Sequence, residues 1–190
     1  MAVREIRLFG DPVLRTVCDP IEVFDEKVHA LVKDLCDTVA FEGRAGVAAT
    51  QIGHTQRAFS LHIDGRISYV LNPEIVELGG EPVPTGEGCL SVPELWFEVM
   101  RYPKATVRGV GLDGEEIVIS GEGLLAQALQ HECDHLDGKL YLNRLDRETR
   151  GEAMRRLIEA SLQELIEAEV TAKIGAGRYK RTEQRTTRRD

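Results

Sequence analysis

The stretch "ALQHECDHLDGKLY", residues 128–141, carries the pattern that decides the fold of this chain. Within it, His131 and His135 stand four residues apart, and Glu132 follows the first of them. On a helix, side chains at positions i and i+4 point the same way, so the two imidazoles can bind one metal ion. Glu132 then lies beside the metal, where it can take a proton from water and pass it to a leaving group. The pattern therefore predicts a metal-dependent hydrolase.

The same residues fall in a helix predicted over 123–136. Apolar side chains accompany the histidines on one face, and further leucines occupy another face. A helix that is apolar on two sides is expected to be buried in the middle of a domain. Two histidines and a glutamate buried there need partners that offset the loss of their hydration. Metal binding meets that need, whereas a chance match to the pattern does not.

The third metal ligand decides the class of enzyme. Tyr141 stands where one class of zinc peptidase has a third histidine, and no histidine follows His135. A downstream glutamate is the other peptidase solution, although the candidates also fit the solvated face of the last predicted helix. These candidates are Glu148, Glu152 and Glu159. An upstream cysteine is the remaining option, because thiolates bind Zn or Fe(II) well. Composition and spacing alone do not separate Cys89 from Cys18 or Cys36, so a zinc endopeptidase stays open at this point.

Three further regions complete the predicted fold. Residues 25–42 predict an amphipathic helix, and residues 147–172 predict a closing helix. Between them, residues 56–120 predict short antiparallel strands, because hairpin dipeptides separate strand-like runs. These dipeptides are Asp64-Gly65 and Asp113-Gly114. We therefore expect an α+β fold in which antiparallel β-sheets pack around the central 123–136 helix, with one helix before it and one after it.

The composition is that of an acidic globular protein. The chain has 190 residues, 42% of them hydrophobic and 29% charged, with a net charge of −8. These values predict a single domain over residues 1–172 and argue against nucleic-acid binding by that domain. We see no signal peptide and no apolar run long enough to span a bilayer, so we expect a cytoplasmic monomer without membrane contact. Residues 173–190 are basic and nearly devoid of apolar side chains, which predicts a disordered tail.

Three ordered motifs resemble the peptide deformylase family. They are "GVAATQIG" at residues 46–53, "EGCLS" at residues 87–91 and "QHECDHLDG" at residues 130–138. The resemblance covers residues 1 to about 170 and includes the flanking helices. One H-E-x-x-H pattern is moderately specific, whereas three motifs in this order are far more specific.

The resemblance implies removal of the N-formyl group from the N-terminal formyl-methionine of newly synthesised proteins, with release of formate. It also implies that Cys89, His131 and His135 hold one divalent metal ion. Fe(II) is the metal expected in the cell, and Zn or Ni is possible in the isolated protein. The partners expected on this basis are formyl-methionyl nascent peptides. A further hypothesis is that the basic tail contacts ribosomal RNA through its charge, with a merely solvated tail as the alternative.

The resemblance also assigns the other site residues. It implies that Glu132 transfers protons, and that the side-chain amide of Gln51 and the backbone N–H of Leu90 stabilise the oxyanion. Gly46 and Val47 are expected to pair with the substrate backbone, since glycine permits close approach of another chain. Three residues on the metal-facing helix are expected to line the pocket for methionine: Leu124, Gln127 and Ala128.

Some positions depart from the common family pattern. Arg44 places a cation near the expected cleft, Trp96 stands where an arginine or a small residue is common, and Gln127 replaces an apolar residue. These differences bear on the shape and the side-chain preference of the pocket. A catalytically silent relative that only binds formyl-peptides or ribosomes is a third hypothesis, but the intact ligand and Glu132 positions argue against it.

Overall fold

The structure is a computed structural model, which describes residues 3–174. The described chain falls into two units, one ending at Leu145 and one beginning at Asp146. The first unit holds seven strands, β1 to β7, and the helices α1 and α2, and the second holds α3. The strands are β1 (Gly46–Ala48), β2 (Ala58–Ile63), β3 (Arg66–Gly79), β4 (Val83–Cys89), β5 (Val92–Arg101), β6 (Lys104–Val110) and β7 (Glu116–Glu122). The helices are α1 (Glu26–Val39), α2 (Leu124–Leu136) and α3 (Arg147–Ile174).

The strands form two antiparallel sheets. The larger sheet has the order β1-β2-β3-β6-β7, and β4 pairs with β5 in a separate two-stranded sheet. Both predicted hairpins are present, because Asp64 and Gly65 adopt positive φ between β2 and β3, and Gly114 does so between β6 and β7. Positive φ at both Asp64 and Gly65 is what a two-residue type I′ hairpin turn requires, whereas β6 and β7 are joined by a five-residue loop, residues 111–115.

The helix α1 begins where the sequence predicts. The carboxylate of Asp25 accepts hydrogen bonds from the backbone N–H groups of Lys27 and Val28, which satisfies two donors at the helix start. The buried stripe of α1 includes Leu31 and Leu35, and it packs in one core cluster with residues of the large sheet. The helix ends three residues before the predicted position 42.

The helix α2 packs against the opposite face of the large sheet. In β2, Ala58 belongs to the cluster with α1, whereas Phe59 belongs to a second cluster with α2. The same alternation separates Leu71 from Val70 in β3. Because successive strand residues face opposite sides, the two helices cover the two faces of one sheet. The predicted α+β architecture with α2 buried at its centre is confirmed.

The second unit is the predicted closing helix, α3. Asp146 caps it, since its Oδ1 accepts from the backbone N–H groups of Glu148 and Thr149. Beyond residue 174, the tail predicted for residues 173–190 lies outside the described residues. The boundary of the single domain at residue 172 stays a prediction. No helix within residues 3–174 is both long enough and apolar enough to cross a membrane.

Candidate metal centre

Three ligand atoms converge where the end of β4 meets α2. His131 and His135 project from α2, and Cys89 is the last residue of β4. Their ligand atoms all lie within 4.8 Å of one another. The Sγ of Cys89 is 3.3 Å from Nε2 of His135, and the two Nε2 atoms are 3.2 Å apart. One thiolate and two imidazoles form a donor set that suits Fe(II) or Zn, so the residues present fit a divalent metal.

A register shift in the small sheet falls at Cys89. Gly88 pairs with Trp96, but the next residue, Cys89, pairs with Val92. The extra residues lie on β5, between Val92 and Trp96, so β5 bulges beside the residue that ends β4. Sequence reasoning could not choose Cys89 from the residues alone, and this local geometry is what distinguishes it from the other cysteines.

A buried chain of charges holds His131. The Nδ1 of His131 lies 2.6 Å from a carboxylate oxygen of Glu87. Arg101 donates two hydrogen bonds to Glu87, at 2.6 and 2.8 Å, and a third at 2.8 Å to Asp134. Arg144 binds both oxygens of Asp134 at 2.6 Å. Of these residues, Arg101 is 1% exposed, so the network lies inside the protein.

The network fixes the charge of Glu87. Burial alone would raise the pKa of this carboxyl group, but hydrogen bonds from Arg101 and His131 outweigh burial and lower the pKa to about 2. The carboxylate is therefore ionised and can accept a hydrogen bond from the Nδ1–H group of His131. This arrangement leaves Nε2 of His131 directed at the ligand cluster.

Glu132 lies beside the ligands and is nearly inaccessible to water. Its side chain is buried, and its Oε2 has no hydrogen-bond partner among residues 3–174. Burial raises the pKa of Glu132 to about 7, which nearby His131 partly counteracts. Gly46 of β1 faces it so closely that a Cβ there would lie 2.7 Å from the carboxyl carbon of Glu132. Only glycine therefore leaves room for this glutamate.

Gln51 is directed at the same place by a short 3₁₀ helix, Ala49–Ile52. Its Oε1 accepts from the backbone N–H of Ala48 at 2.9 Å, which orients the amide group. Its Nε2 then lies 3.6 Å from the Sγ of Cys89 and 3.3 Å from the hydroxyl oxygen of Ser91. A fixed amide donor beside the ligand cluster is suited to stabilising an oxyanion.

A cavity of about 520 Å³ opens onto these groups. Most of the predicted site residues line it: Gly46, Gln51, Cys89, Leu90, Leu124, Gln127, Ala128, His131 and Glu132. The side chain of Val47 is instead buried in the core cluster with α1. Arg44 and Trp96, which depart from the common family pattern, also line the cavity.

The chain matches the model of the polypeptide deformylase family over residues 3–151. It belongs to this family. A peptide deformylase from Acidothermus cellulolyticus is 45% identical over 160 residues, which cover 84% of this chain and 88% of that relative. The crystal structure of a peptide deformylase from Legionella pneumophila is 38% identical, with a TM-score of 0.79, and the match covers 86% of this chain and 98% of that one.

A second solved structure agrees with this result. The deformylase from Thermus thermophilus is 38% identical with a TM-score of 0.74. The match covers 86% of this chain and 96% of the Thermus thermophilus chain. Membership in the deformylase family confirms the enzyme class predicted from the sequence, a metal-dependent amide hydrolase that removes the N-formyl group from nascent peptides. The Cys89, His131 and His135 group is the metal site typical of deformylases.

Sequence reasoning missed the residues that support this deformylase site. Glu87 stands inside the "EGCLS" motif, so its position there was the available signal. Asp134 likewise stands inside the "QHECDHLDG" motif. Arg101 had no such signal, because a lone arginine at a strand end is ordinarily solvated. Cys133, inside the third motif, packs as a small core residue, since it is 3% exposed within the cluster around α2.

Proposed function

We propose that Cys89, His131 and His135 hold the metal ion with which this deformylase cleaves the formamide of formyl-methionyl peptides. The convergence of one thiol and two imidazoles beside a buried glutamate is the observation that carries the proposal. A zinc endopeptidase on the same helix would instead take a third ligand downstream of His135. Cys89 lies upstream of the helix, and this favours deformylation over the peptidase alternative.

The proposed reaction is hydrolysis of the formyl C–N bond. A metal ion held by Cys89, His131 and His135 would acidify a water molecule and polarise the formyl carbonyl group. Glu132 accepts the proton that the water loses and gives it to the departing amine. The oxygen of the water is retained in formate, and the peptide leaves with a free amino terminus.

Two donors are proposed to stabilise the oxyanion that develops in this reaction. The Nε2 of Gln51 is held near Cys89 by the hydrogen bond between Oε1 and Ala48. The backbone N–H of Leu90 is the second donor, and Leu90 lines the same cavity. Because both groups are held by the fold, they need no reorganisation when charge develops.

The substrate backbone is proposed to lie along β1. This strand is at the end of the large sheet and, of the strands that the structure describes, pairs with β2 alone, so its outer edge can accept another strand. Gly46 lines the cavity at this edge, and Val47 contributes only its backbone because its side chain is buried. The methionine side chain is then directed toward Leu124, Gln127 and Ala128.

Formate release from a formyl-Met-Ala-Ser peptide tests the proposed function. Enzyme loaded with Fe(II) is expected to release one formate per peptide. It is prepared anaerobically, because oxygen attacks both iron and the Cys89 thiolate. Fully metallated protein that releases no formate would identify a silent relative instead. We propose Fe(II) as the metal in the cell, and metal analysis of rapidly isolated protein tests this choice against Zn and Ni.

Cys89→Ala separates deformylase from endopeptidase. The variant is expected to lose stoichiometric metal, because one of three protein ligands is removed. Full metal retention would argue that a downstream residue is the third ligand. Cys36→Ala is the matched control, since this half-buried thiol of α1 lies outside the ligand group.

The basic tail, the cytoplasmic location and the monomeric state remain predictions. We propose that the tail brings the enzyme to ribosomes through its positive charge, as expected for contact with phosphates. Deleting residues 174–190 should weaken binding to purified ribosomes and reduce its sensitivity to salt. Unchanged binding after the deletion would remove the tail from this role.

A further inference from the structure

Trp96 occupies an unusual place at the rim of the cavity. It is the single tryptophan of the chain, it lies on β5, and it is 71% exposed. It nevertheless lines the cavity that contains the metal ligands. The largest aromatic side chain of the protein is therefore presented to whatever occupies the cleft.

The indole lies flat against β4. A Cβ on Gly88 would come within 2.7 Å of Cε2 and 2.9 Å of Cδ2 and Cζ2 of Trp96, so one face of the ring covers the backbone next to Cys89. The exposed fraction then belongs mainly to the other face. No arginine or lysine within residues 3–174 lies over this ring, and Arg44 is held instead over Phe41 at 4.9 Å. The free face is thus available to a ligand.

The cavity is larger than one methionine side chain needs. Its volume of about 520 Å³ lies within the range of about 300–1,000 Å³ that accommodates drug-sized ligands. Leu124, which is 57% exposed, lines it together with Trp96 and extends its apolar surface. An extended peptide carries side chains beyond the first residue at intervals of about 3.3 Å, so a second side chain can reach this surface.

We infer that Trp96 binds the side chain of a residue after the formyl-methionine and makes the enzyme prefer an apolar or aromatic residue there. This inference rests on the proposed function, because it assigns a further subsite to the same cleft. The planar ring packs with aromatic and aliphatic side chains, and an aromatic pair gains a specific contribution beyond the area that it buries. A serine or an aspartate at the same position gains little from such a surface.

A kinetic comparison tests the preference. The substrates are formyl-Met peptides with Phe, Leu, Ser or Asp at the second or the third residue, and each kcat/KM is measured with the metal-loaded enzyme. At one of these positions, wild type is expected to prefer Phe over Ser by about 3- to 10-fold. Trp96→Ala should bring this ratio close to one, and Trp96→Phe should retain most of it.

Val118→Ala is the control for the kinetic comparison. Val118 is 55% exposed on β7 and does not line the cavity, so this variant should keep the wild-type ratio. Equal Phe-to-Ser ratios in wild type and Trp96→Ala would overturn the inference. Wild-type turnover of the serine peptide separately tests the proposed function, so the two failures are distinguishable.

Tryptophan fluorescence gives a readout that needs no turnover. Because Trp96 is the single tryptophan, its emission reports the cleft rim directly. The deformylated peptides Met-Phe-Phe and Met-Ser-Ser are titrated into the holoenzyme, with binding followed in parallel by product inhibition. We expect a saturable emission change and an inhibition constant about 3- to 10-fold lower for Met-Phe-Phe. Inhibition by Met-Phe-Phe with unchanged emission, or equal constants for the two peptides, would overturn the inference.

Discussion

The Nδ1 atom of His131 lies 2.6 Å from Oε1 of Glu87, so a carboxylate of β4 holds a metal ligand of α2. Glu87, which holds His131, precedes a second ligand, Cys89, by two positions. One short segment of β4 therefore supplies a ligand directly and positions a second one indirectly. Partners of this kind fix the tautomer and the orientation of a ligating imidazole.

Glu87→Gln is predicted to weaken metal binding without removing a ligand. The amide keeps the size of the side chain but no longer offers an ionised acceptor to Nδ1 of His131. Loss of such a partner typically lowers metal affinity by about 10- to 100-fold. Competition with a chelator, measured on the Zn-loaded protein, gives the affinity. Glu122→Gln, at an exposed pair with Lys104, is the control, and equal affinities of the two variants would refute the prediction.

Arg101→Met is predicted to destabilise the fold. The side chain is 1% exposed and binds Glu87 and Asp134, so its removal leaves buried carboxylates with fewer partners. Breaking a buried ion pair from one side costs about 3–5 kcal/mol. Urea unfolding measures the loss in the free energy of unfolding. Arg108→Met, whose partner Glu74 is exposed, should change it by less than about 1 kcal/mol. A loss for Arg101→Met as small as the control would contradict the role of the network.

The sequence predicts site residues that are placed by local spacing better than site residues that are placed by long-range contacts. The histidines of α2 follow from local spacing, because residues four apart on a helix share one face. The Arg101 bonds join it to residues 14 and 33 positions away, on β4 and on α2, so they depend on the tertiary fold and not on local spacing. Cys89 required the family resemblance for the same reason. Long-range pairing leaves no periodic trace in the sequence, whereas helices and hairpins do.

Gly46→Ala is predicted to lower kcat while metal content stays unchanged. The added methyl group would collide with the carboxylate of Glu132, which must move away from the reacting water. Proton transfer by a positioned side chain contributes about 10²- to 10⁴-fold, so a loss of about 10²-fold or more is expected. Gly151→Ala is the control, because a Cβ there meets no atom within 4 Å. Wild-type kcat in Gly46→Ala would show that Glu132 is not confined by β1.

Cys18 is predicted to make stability fall at alkaline pH. Burial raises the pKa of this thiol from 9.0 to about 11, and the charge of Arg57 only partly opposes burial. The unfolded chain therefore releases the proton at lower pH than the folded chain does. The contribution of Cys18 to the free energy of unfolding is intact below pH 9 and is lost as the pH rises toward 11.

The size of this loss can be measured. At pH 10.5 it amounts to about 2 kcal/mol, from the difference between the two pKa values. Urea unfolding gives the free energy of unfolding at pH 8 and at pH 10.5. Between these pH values it should fall less for Cys18→Ala than for wild type, by about this amount. Each protein serves as its own control at pH 8. Equal falls in wild type and variant would show that the thiol does not remain protonated in the fold.

Gln127→Ile is predicted to change the discrimination between methionine and its isostere norleucine. The Nε2 of Gln127 donates to the backbone oxygen of Gly86 at 3.0 Å and lies 3.4 Å from Oε2 of Glu87, so a polar group is fixed in the wall of the cavity. The thioether of methionine is polarisable, so it interacts better with a fixed amide dipole than the methylene group of norleucine does. An apolar wall removes that difference, and the ratio of kcat/KM for formyl-Met over formyl-norleucine peptides should fall by about 2- to 10-fold.

The matched control for this last variant lies on α3. Gln163 is exposed, bonds Glu167 within the same helix and does not line the cavity, so Gln163→Ile carries the same substitution outside the lining. It should leave the ratio at the wild-type value. If the Gln127→Ile ratio is also unchanged, the amide does not contact the first side chain of the substrate. The pair of variants thereby separates a polar pocket wall from a glutamine that only joins α2 to β4.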